Sequence, residues 1–600
     1  MKNLFQLIFL FFFITVSSYS QKLNIDYSKK FKPSNKEGTL DKIVGENSNY
    51  VYLKYNGKGG YKIKAVEKGN LTTVVGEFSF SSLNKMQKKG LFYEDFICFD
   101  KTIMIVWKSM PSSSIAMINF KNDKSEIWIE TFDPEFNPKH ELELVFTGNK
   151  SSVISNPKSS YIRSCYETSK LLLCTERYYS KEEKISFDYK LFDENLSILS
   201  SGDLSLPMVA IRNVDDASSN CSLEVDDNIY ITSRVKMSRQ EIKEKKRGED
   251  RHFTILSCIN TKSNILSEIP LKYKDKNITE FNYLVTKTAI KMVGFYSDVN
   301  IDKSGDDIHG VFYANINPIT FFVEKSYFNN FTQRDIDLLF KKRSSAKDDE
   351  EQGKLNKNYV VEKVFLSPDD GVVLFSSIMN NYSKTSTTKS GGVTTTTTTL
   401  YCNKVNLTCI KLDSEGSLKW LSNIPRSITY VGGWNTYDIK AIYKDGSFYS
   451  LYGSAEYSDE SGKRTKKKKR KNIFGELEYA AVDNKTGVMK KNIEVLNTPR
   501  TSSRDWKYIH SENCISFNDS TMYSVESNVS LKTYVKVVSG TLLFAGLITG
   551  FIGEIVFGNP ILFTAILPGG IYSIAASSNL RNYNGGVALV RLTPIAKKRR

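Results

Sequence analysis

The chain has 600 residues, 12% of them aromatic, and only 14 prolines. It is too long for one small domain and too rich in Tyr and Phe for a disordered polymer, so a large buried core is expected. A formal net charge of +17 admits nucleic acid or anionic lipid as partners, but lysines spread along the whole chain are the plainer cause.

The first residues, MKNLFQLIFLFFFITVSSYSQK, set a basic Lys2 before an apolar run over 4–16 and end on small residues at Ser18 and Ser20. This is the pattern of a secretory signal peptide over 1–20, cleaved after Ser20. The run is short for a membrane span, and no cysteine follows the cleavage point, so a lipoprotein anchor is not expected. Export to the periplasm or cell envelope is the expectation, with no nucleic acid as partner. A lead-in follows over 21–44. The eight cysteines (Cys98, Cys165, Cys174, Cys221, Cys258, Cys402, Cys409 and Cys514) hold no C-x-x-C pair. Most lie inside strand-like runs, where cysteine acts as a small apolar residue, and no metal site is assigned to them.

From 45 to 530 the pattern is strand after strand. The stretch 161–206 parses as four, at 161–166, 171–179, 185–192 and 197–205, punctuated by polar turns. Its closing hairpin recurs along the chain, with turns that begin at Asp133, Asp193, Asn260, Asn317, Asp413 and Asp483. Asp and Asn suit that place because their side-chain oxygens bond the backbone just ahead. The opening hairpin recurs in step, for example as ICFDKTIMIVW, SCYETSKLLLC and FLSPDDGVVLF, and Asp370-Gly371 and Asp445-Gly446 are hairpin turn signals. Four-stranded antiparallel units at a regular period predict an all-β chain folded as a β-propeller. Six blades are complete. A seventh joins a closing half within 50–80 to an opening half at 513–525, pairing the chain ends across the ring. An eighth follows if the strand-like run 585–592 belongs to a further unit.

In the fifth and sixth of these turns a Gly follows the Asp, as D-x-x-G and D-x-x-x-G, ahead of a strand that in the fifth reaches Trp. Asp413, Gly416 and Trp420 match this pattern, and Asp483 and Gly487 match it in part. On these residues the chain resembles, over 45–530, bacterial exported propellers with pyrroloquinoline-quinone-like or WD40-like repeats. The other units lack the Gly and Trp, so the resemblance implies a fold and neither an activity nor a cofactor. Leader and composition are also similar to exported proteins of Bacteroidetes-type bacteria.

Polar insertions fall at 238–251, 341–357, 383–399 and 458–471. The first, third and fourth lie between second and third strands, and the second lies between units. In four-stranded meanders both kinds of connection leave one face of the disc, so that face is expected to carry long loops and to bind. The Thr run at 394–399 reads as mobile low complexity. Candidate binding residues are Lys466, Lys467, Lys468, Lys469, Arg470 and Lys471, suited to an anionic polysaccharide, lipid headgroup or acidic envelope protein. A solvated loop is the plainer reading.

None of the four histidines lies in H-E-x-x-H, and neither G-x-S-x-G nor G-x-x-x-x-G-K-[ST] occurs. Asp302, Asp306 and Asp307 lack EF-hand spacing. No catalytic residue, metal or cofactor is assigned. The expected function is a non-enzymatic binding or scaffold protein of the cell envelope. The alternative is an exported hydrolase or lyase whose carboxylates converge on the propeller axis. Last, 531–578 is apolar and Gly-rich. Residues 537–557 are long enough to cross a bilayer, and Asn559-Pro560 breaks the run. Membrane association through 537–577 or a packed helical hairpin is expected, a single span being the other reading. A final strand and basic tail complete 579–600.

Overall fold

The structure is a computed structural model. It describes residues 22–27, 39–57, 60–71, 73–80, 90–109, 124–149, 160–179, 184–207, 221–237, 239–244, 252–273, 275–298, 308–339, 359–390, 393–431, 439–454, 476–495, 505–509, 515–516, 522–530 and 584–595.

Strands dominate because the runs are rich in β-branched and aromatic residues and are cut by local turn chemistry. All six turn starts lie between a third and a fourth strand. In three of them the carboxylate Oδ1 accepts the backbone N–H two and four residues on: Asp133 from Glu135 and Asn137, Asp193 from Asn195 and Ser197, Asp413 from Glu415 and Ser417, at 2.8–3.0 Å. In the other three the second bond comes from the third residue on: Asn260 to Lys262 and Ser263, Asn317 to Ile319 and Thr320, Asp483 to Lys485 and Thr486, at 2.9–3.1 Å. The left-handed residue shifts accordingly, from Phe136, Leu196 and Gly416 in the first set to Asn264, Phe321 and Gly487 in the second.

Seven four-stranded antiparallel sheets follow one another in chain order, over 39–79, 91–149, 160–207, 221–271, 276–330, 359–431 and 440–495. An eighth sheet holds Asp505–Ile509, Ile515–Ser516, Met522–Ser530, Asn584–Ile595 and Lys22–Tyr27. Each sheet touches the next, and the eighth touches the first. This is the arrangement of a β-propeller.

Apolar clusters lie between successive sheets. Tyr52, Phe80 and Trp107 join sheets one and two; Val106 and Leu173 join two and three; Cys174 and Ile231 join three and four. Leu256 and Met292 join four and five, Tyr313 and Leu374 join five and six, and Phe375 and Phe448 join six and seven. Burial within a sheet follows the same logic. In sheet five the second strand, Ile290–Asp298, is buried throughout, whereas the fourth, Val323–Asn330, is largely exposed. Cys98, Cys165, Cys174, Cys221, Cys258 and Cys409 are buried in these layers.

Three expectations change. Residues 50–80 do not pair with 513–525: Thr39–Glu46, inside the lead-in, gives them an opening strand and a sheet of their own. That strand carries two bulges, which hide its alternation. Lys22–Tyr27 instead pairs with the last described strand, from Lys22↔Ile595 to Tyr27↔Val590. The Thr run is ordered strand, since Val372–Ser390 and Val393–Leu412 pair to the tip, at Ser390↔Val393.

Candidate functional site

The first strands of sheets one and two, three and four, and five and six touch each other, which puts the first strands at the axis and the fourth at the rim. Several inner strands carry a bulge: at Glu94 (Tyr93/Asp95), at Thr279 (Ile278/Glu280) and at Glu362 (Val361/Lys363). A bulge leaves one residue outside the ladder and re-aims its side chain. Glu362 meets Lys404 at 3.0 Å, with side chains 6% and 1% exposed. Such a pair is nearly dry, and breaking it would strand a buried charge. Glu94 approaches Lys108 at 3.8 Å. Glu280 differs: burial pushes its carboxyl up to about 7, and only the Val361 backbone N–H, on the inner strand of the next sheet, favours the ionised form. A carboxyl poised there can accept or donate a proton near neutral pH. These acids have separate partners, and among the described residues no three His, Cys, Asp or Glu gather as a metal set.

The two ends of the strands are built differently. Every first–second and third–fourth connection in sheets one to seven has two to six residues. These turns latch onto neighbouring sheets. The Tyr52 hydroxyl donates to the Pro134 carbonyl (3.1 Å), Tyr189 to Asn264 Oδ1 (3.0 Å), Tyr313 to the Ser414 carbonyl (3.3 Å), and Trp420 Nε1–H to the Asn484 carbonyl (2.9 Å). Lys411, 3% exposed, donates to Asp369 of its own sheet (2.5 Å) and to the Asn484 carbonyl (3.2 Å) and Oδ1 (3.1 Å) of the next. Burial would raise the Asp369 carboxyl, but hydrogen bonds from Lys411 and Ser367 and the Lys411 charge outweigh it and hold the group at about 2. Gly416 and Gly487 belong to this latch. A Cβ would lie 2.4 Å from the Tyr313 ring at the first and 2.6 Å from the Trp420 indole at the second. Elsewhere the same left-handed place holds buried Phe136 or Phe321, whose packing offsets a strain of roughly 1–2 kcal/mol.

All connections of more than six residues leave the opposite face. A helix over Arg239–Glu244 stands there, tied by Glu241 to Lys272 at 2.7 Å. A second, Gln333–Leu339, is opened by Thr332 and Asp335, which bond each other's backbone N–H (2.9 and 3.2 Å). Its last carbonyls accept from the side-chain amides of Asn406 and Asn423 on sheet six. The Thr hairpin is the longest described feature of this face. Its described neighbour strands end at Tyr359↔Ile378 and Tyr401↔Val431, so eight pairs, from Ser383↔Leu400 to Ser390↔Val393, extend beyond them as a two-stranded ribbon among the described residues. Lys466, Lys467, Lys468, Lys469, Arg470 and Lys471 lie outside the described residues, as do Asp302, Asp306, Asp307 and the apolar stretch 531–583. The strands that flank that stretch are described: Met522–Ser530 and Asn584–Ile595 are antiparallel neighbours, so the chain departs from and returns to the same end of one sheet.

No motif marks Glu280 in the sequence. Its signal is a lone acid next to a strand bulge, and bulges are not legible from residue type. The ribbon had a signal in the high β-propensity of Thr.

The sequence matches no protein-family model and no curated protein. Among solved structures, the chain is similar to the polysaccharide lyase Uly1 (6% identity, TM-score 0.33, covering 84% of this chain and 89% of that one). It is also similar to the β-propeller domain of the Trilobed protease from Pyrococcus furiosus (11%, 0.29, 74% and 93%) and to oligopeptidase B from Leishmania major (9%, 0.35, 82% and 54%).

Proposed function

We propose that the chain is an exported cell-envelope propeller that acts as a non-enzymatic binding or scaffold protein through its long-connection face. One observation carries this reading: the division of the sheets into a latched end and an end that holds every long connection. Side chains fix the backbone of the first end, whereas the second is free to vary over a rigid base, as binding surfaces are. The sequence of its connections suits an anionic envelope surface, an acidic protein or a polysaccharide, with 466–471 the densest cluster. Membrane association runs through 537–577. The pairing of Met522–Ser530 with Asn584–Ile595 favours a hairpin over one span, because a single crossing would carry the last strand away from its sheet. Ring closure in eight blades belongs to the same reading.

Carbonate extraction of membranes, then protease treatment of spheroplasts that express a C-terminally tagged chain, tests it. The expected result is retention with an accessible tag. Release by carbonate removes the membrane element, and a retained but protected tag replaces the hairpin with a span.

Glu280 favours a second reading, acid–base catalysis at the axis, because its carboxyl is held near 7. Turnover of an envelope polysaccharide, abolished by Glu280→Gln with the fold intact, would establish it.

A further inference from the structure

Sheet six turns one polar row into an otherwise apolar junction. The face it presents to sheet five carries Leu374, Ile410 and Leu412, packed on Val293 and Phe295. Across that face the register sets Val361 opposite Ser376, Ser376 opposite Thr408, and Thr408 opposite Asn423. Side chains of directly opposed residues point to one side of a sheet. Tyr359, two residues before Val361, lies on the same face, with its ring 5.2 Å from that of Phe295. Tyr359, Ser376 and Thr408 are 2%, 0% and 0% exposed. The Tyr359 and Thr408 hydroxyls are neighbours. Yet among the described residues Tyr359 Oη, Ser376 Oγ, Thr408 Oγ1 and Asn423 Oδ1 close no hydrogen bond with the protein. Asn423 Nδ2 donates to the Leu338 and Leu339 carbonyls at 3.1 Å, which holds the amide in place. Buried oxygens without partners are rare in folded chains, and four on one face of one sheet point to a partner they share.

We propose that ordered water occupies this part of the junction between sheets five and six, held by the hydroxyls of Tyr359, Ser376 and Thr408 and by Asn423 Oδ1. Size selects water, because these oxygens are closed to bulk solvent. Chemistry selects it too. Three hydroxyls can each donate and accept, and the amide oxygen accepts, so one or two waters find the two to four polar partners that a buried water takes. The set carries no charge, which suits water better than an ion. Its four residues come one from each strand of sheet six. The water therefore ties the whole sheet together at one level, below the ribbon into which the second and third strands extend.

A crystal structure of the full chain that resolves solvent should show density within hydrogen-bond distance of at least three of these oxygens. In solution, Tyr359→Phe, Ser376→Ala and Thr408→Val each delete one hydroxyl and nearly keep the shape. With water bound, each should speed amide exchange over 372–378 and 407–412 by roughly 5-fold, with sheet two as the unchanged reference. The Ser376→Ala/Thr408→Val pair should then add little to either single change, because the water leaves with the first. In a dry junction, deleting an unmet hydroxyl removes a cost, and exchange slows. Slower exchange in the variants, additive effects in the pair, or a crystal structure with no density there or with density for a larger molecule would each overturn the proposal.

Discussion

The two faces of the disc are made by opposite ends of the same strands, yet different rules govern them. On the tight-turn face, Asp or Asn opens the closing turn of sheets two to seven, and at four junctions (one to two, three to four, five to six, six to seven) a Tyr, Trp or Lys of one sheet reaches into the turn of the next. A change there is felt by two sheets at once. On the other face the strands only need to be reconnected, so insertions, two short helices and the Thr ribbon accumulate. Constraint and freedom are thus separated along the strand axis, and substitutions should sort by face.

Lys411→Ala should have the largest effect. It leaves the Asn484 carbonyl with one donor fewer in a buried place and removes the cation beside Asp369. A loss of about 2–4 kcal/mol is expected from the buried stem and the lost donor, read by chemical denaturation, the half-exposed Asp369 carboxylate adding little. Less than 1 kcal/mol would mean that the latch does not join sheets six and seven. Gly487→Ala comes next. Its φ of +67° and the Trp420 indole 2.6 Å from the new Cβ both oppose the side chain, for an expected loss of about 2–4 kcal/mol. Asn264, in the same place three blades earlier at φ 56°, is the internal comparison, and Asn264→Ala should cost less.

Glu280→Gln probes the axis, between the two faces. Its folded-state carboxyl is raised to about 7, above its ordinary value in the unfolded chain. Between those values the unfolded chain has released a proton that the folded one holds, so stability falls as pH rises through that window and is level above it. The Gln variant should be about 1–3 kcal/mol more stable than the parent at pH 8 and nearly equal to it at pH 4. Melting curves at the two pH values check this, and an equal difference at both would mean that Glu280 does not titrate there. The smallest effect belongs to the long-connection face. Deleting 463–471 should change stability by no more than ~0.5 kcal/mol.

What could be read in advance follows the same division. The turn starts were legible because Asx chemistry is local: one residue type bonds its own next few amides. The first blade escaped because Glu67 opens its closing turn, and Asn70, three residues later, bonds the Thr73 N–H instead at 2.9 Å. The pairing of Lys22–Tyr27 with Asn584–Ile595 was not legible, since a pairing across more than 500 residues leaves no local trace. Gly416 and Gly487 appeared as a motif, but the rings that demand them come from the preceding sheets. The state of Glu280 depends on a bulge and on burial between two sheets, neither of which residue type encodes.

Amine footprinting of the full chain bound to vesicles rich in anionic phospholipid, against the free chain, tests the division of labour most directly. Lys101, Lys262, Lys287 and Lys485 are exposed on the tight-turn face and should be acetylated at the same rate bound and free. Lys466, Lys467, Lys468 and Lys469, in the connection between the second and third strands of sheet seven, should be slowed several-fold on binding. Protection of the tight-turn lysines with the 466–469 cluster unchanged would contradict the account.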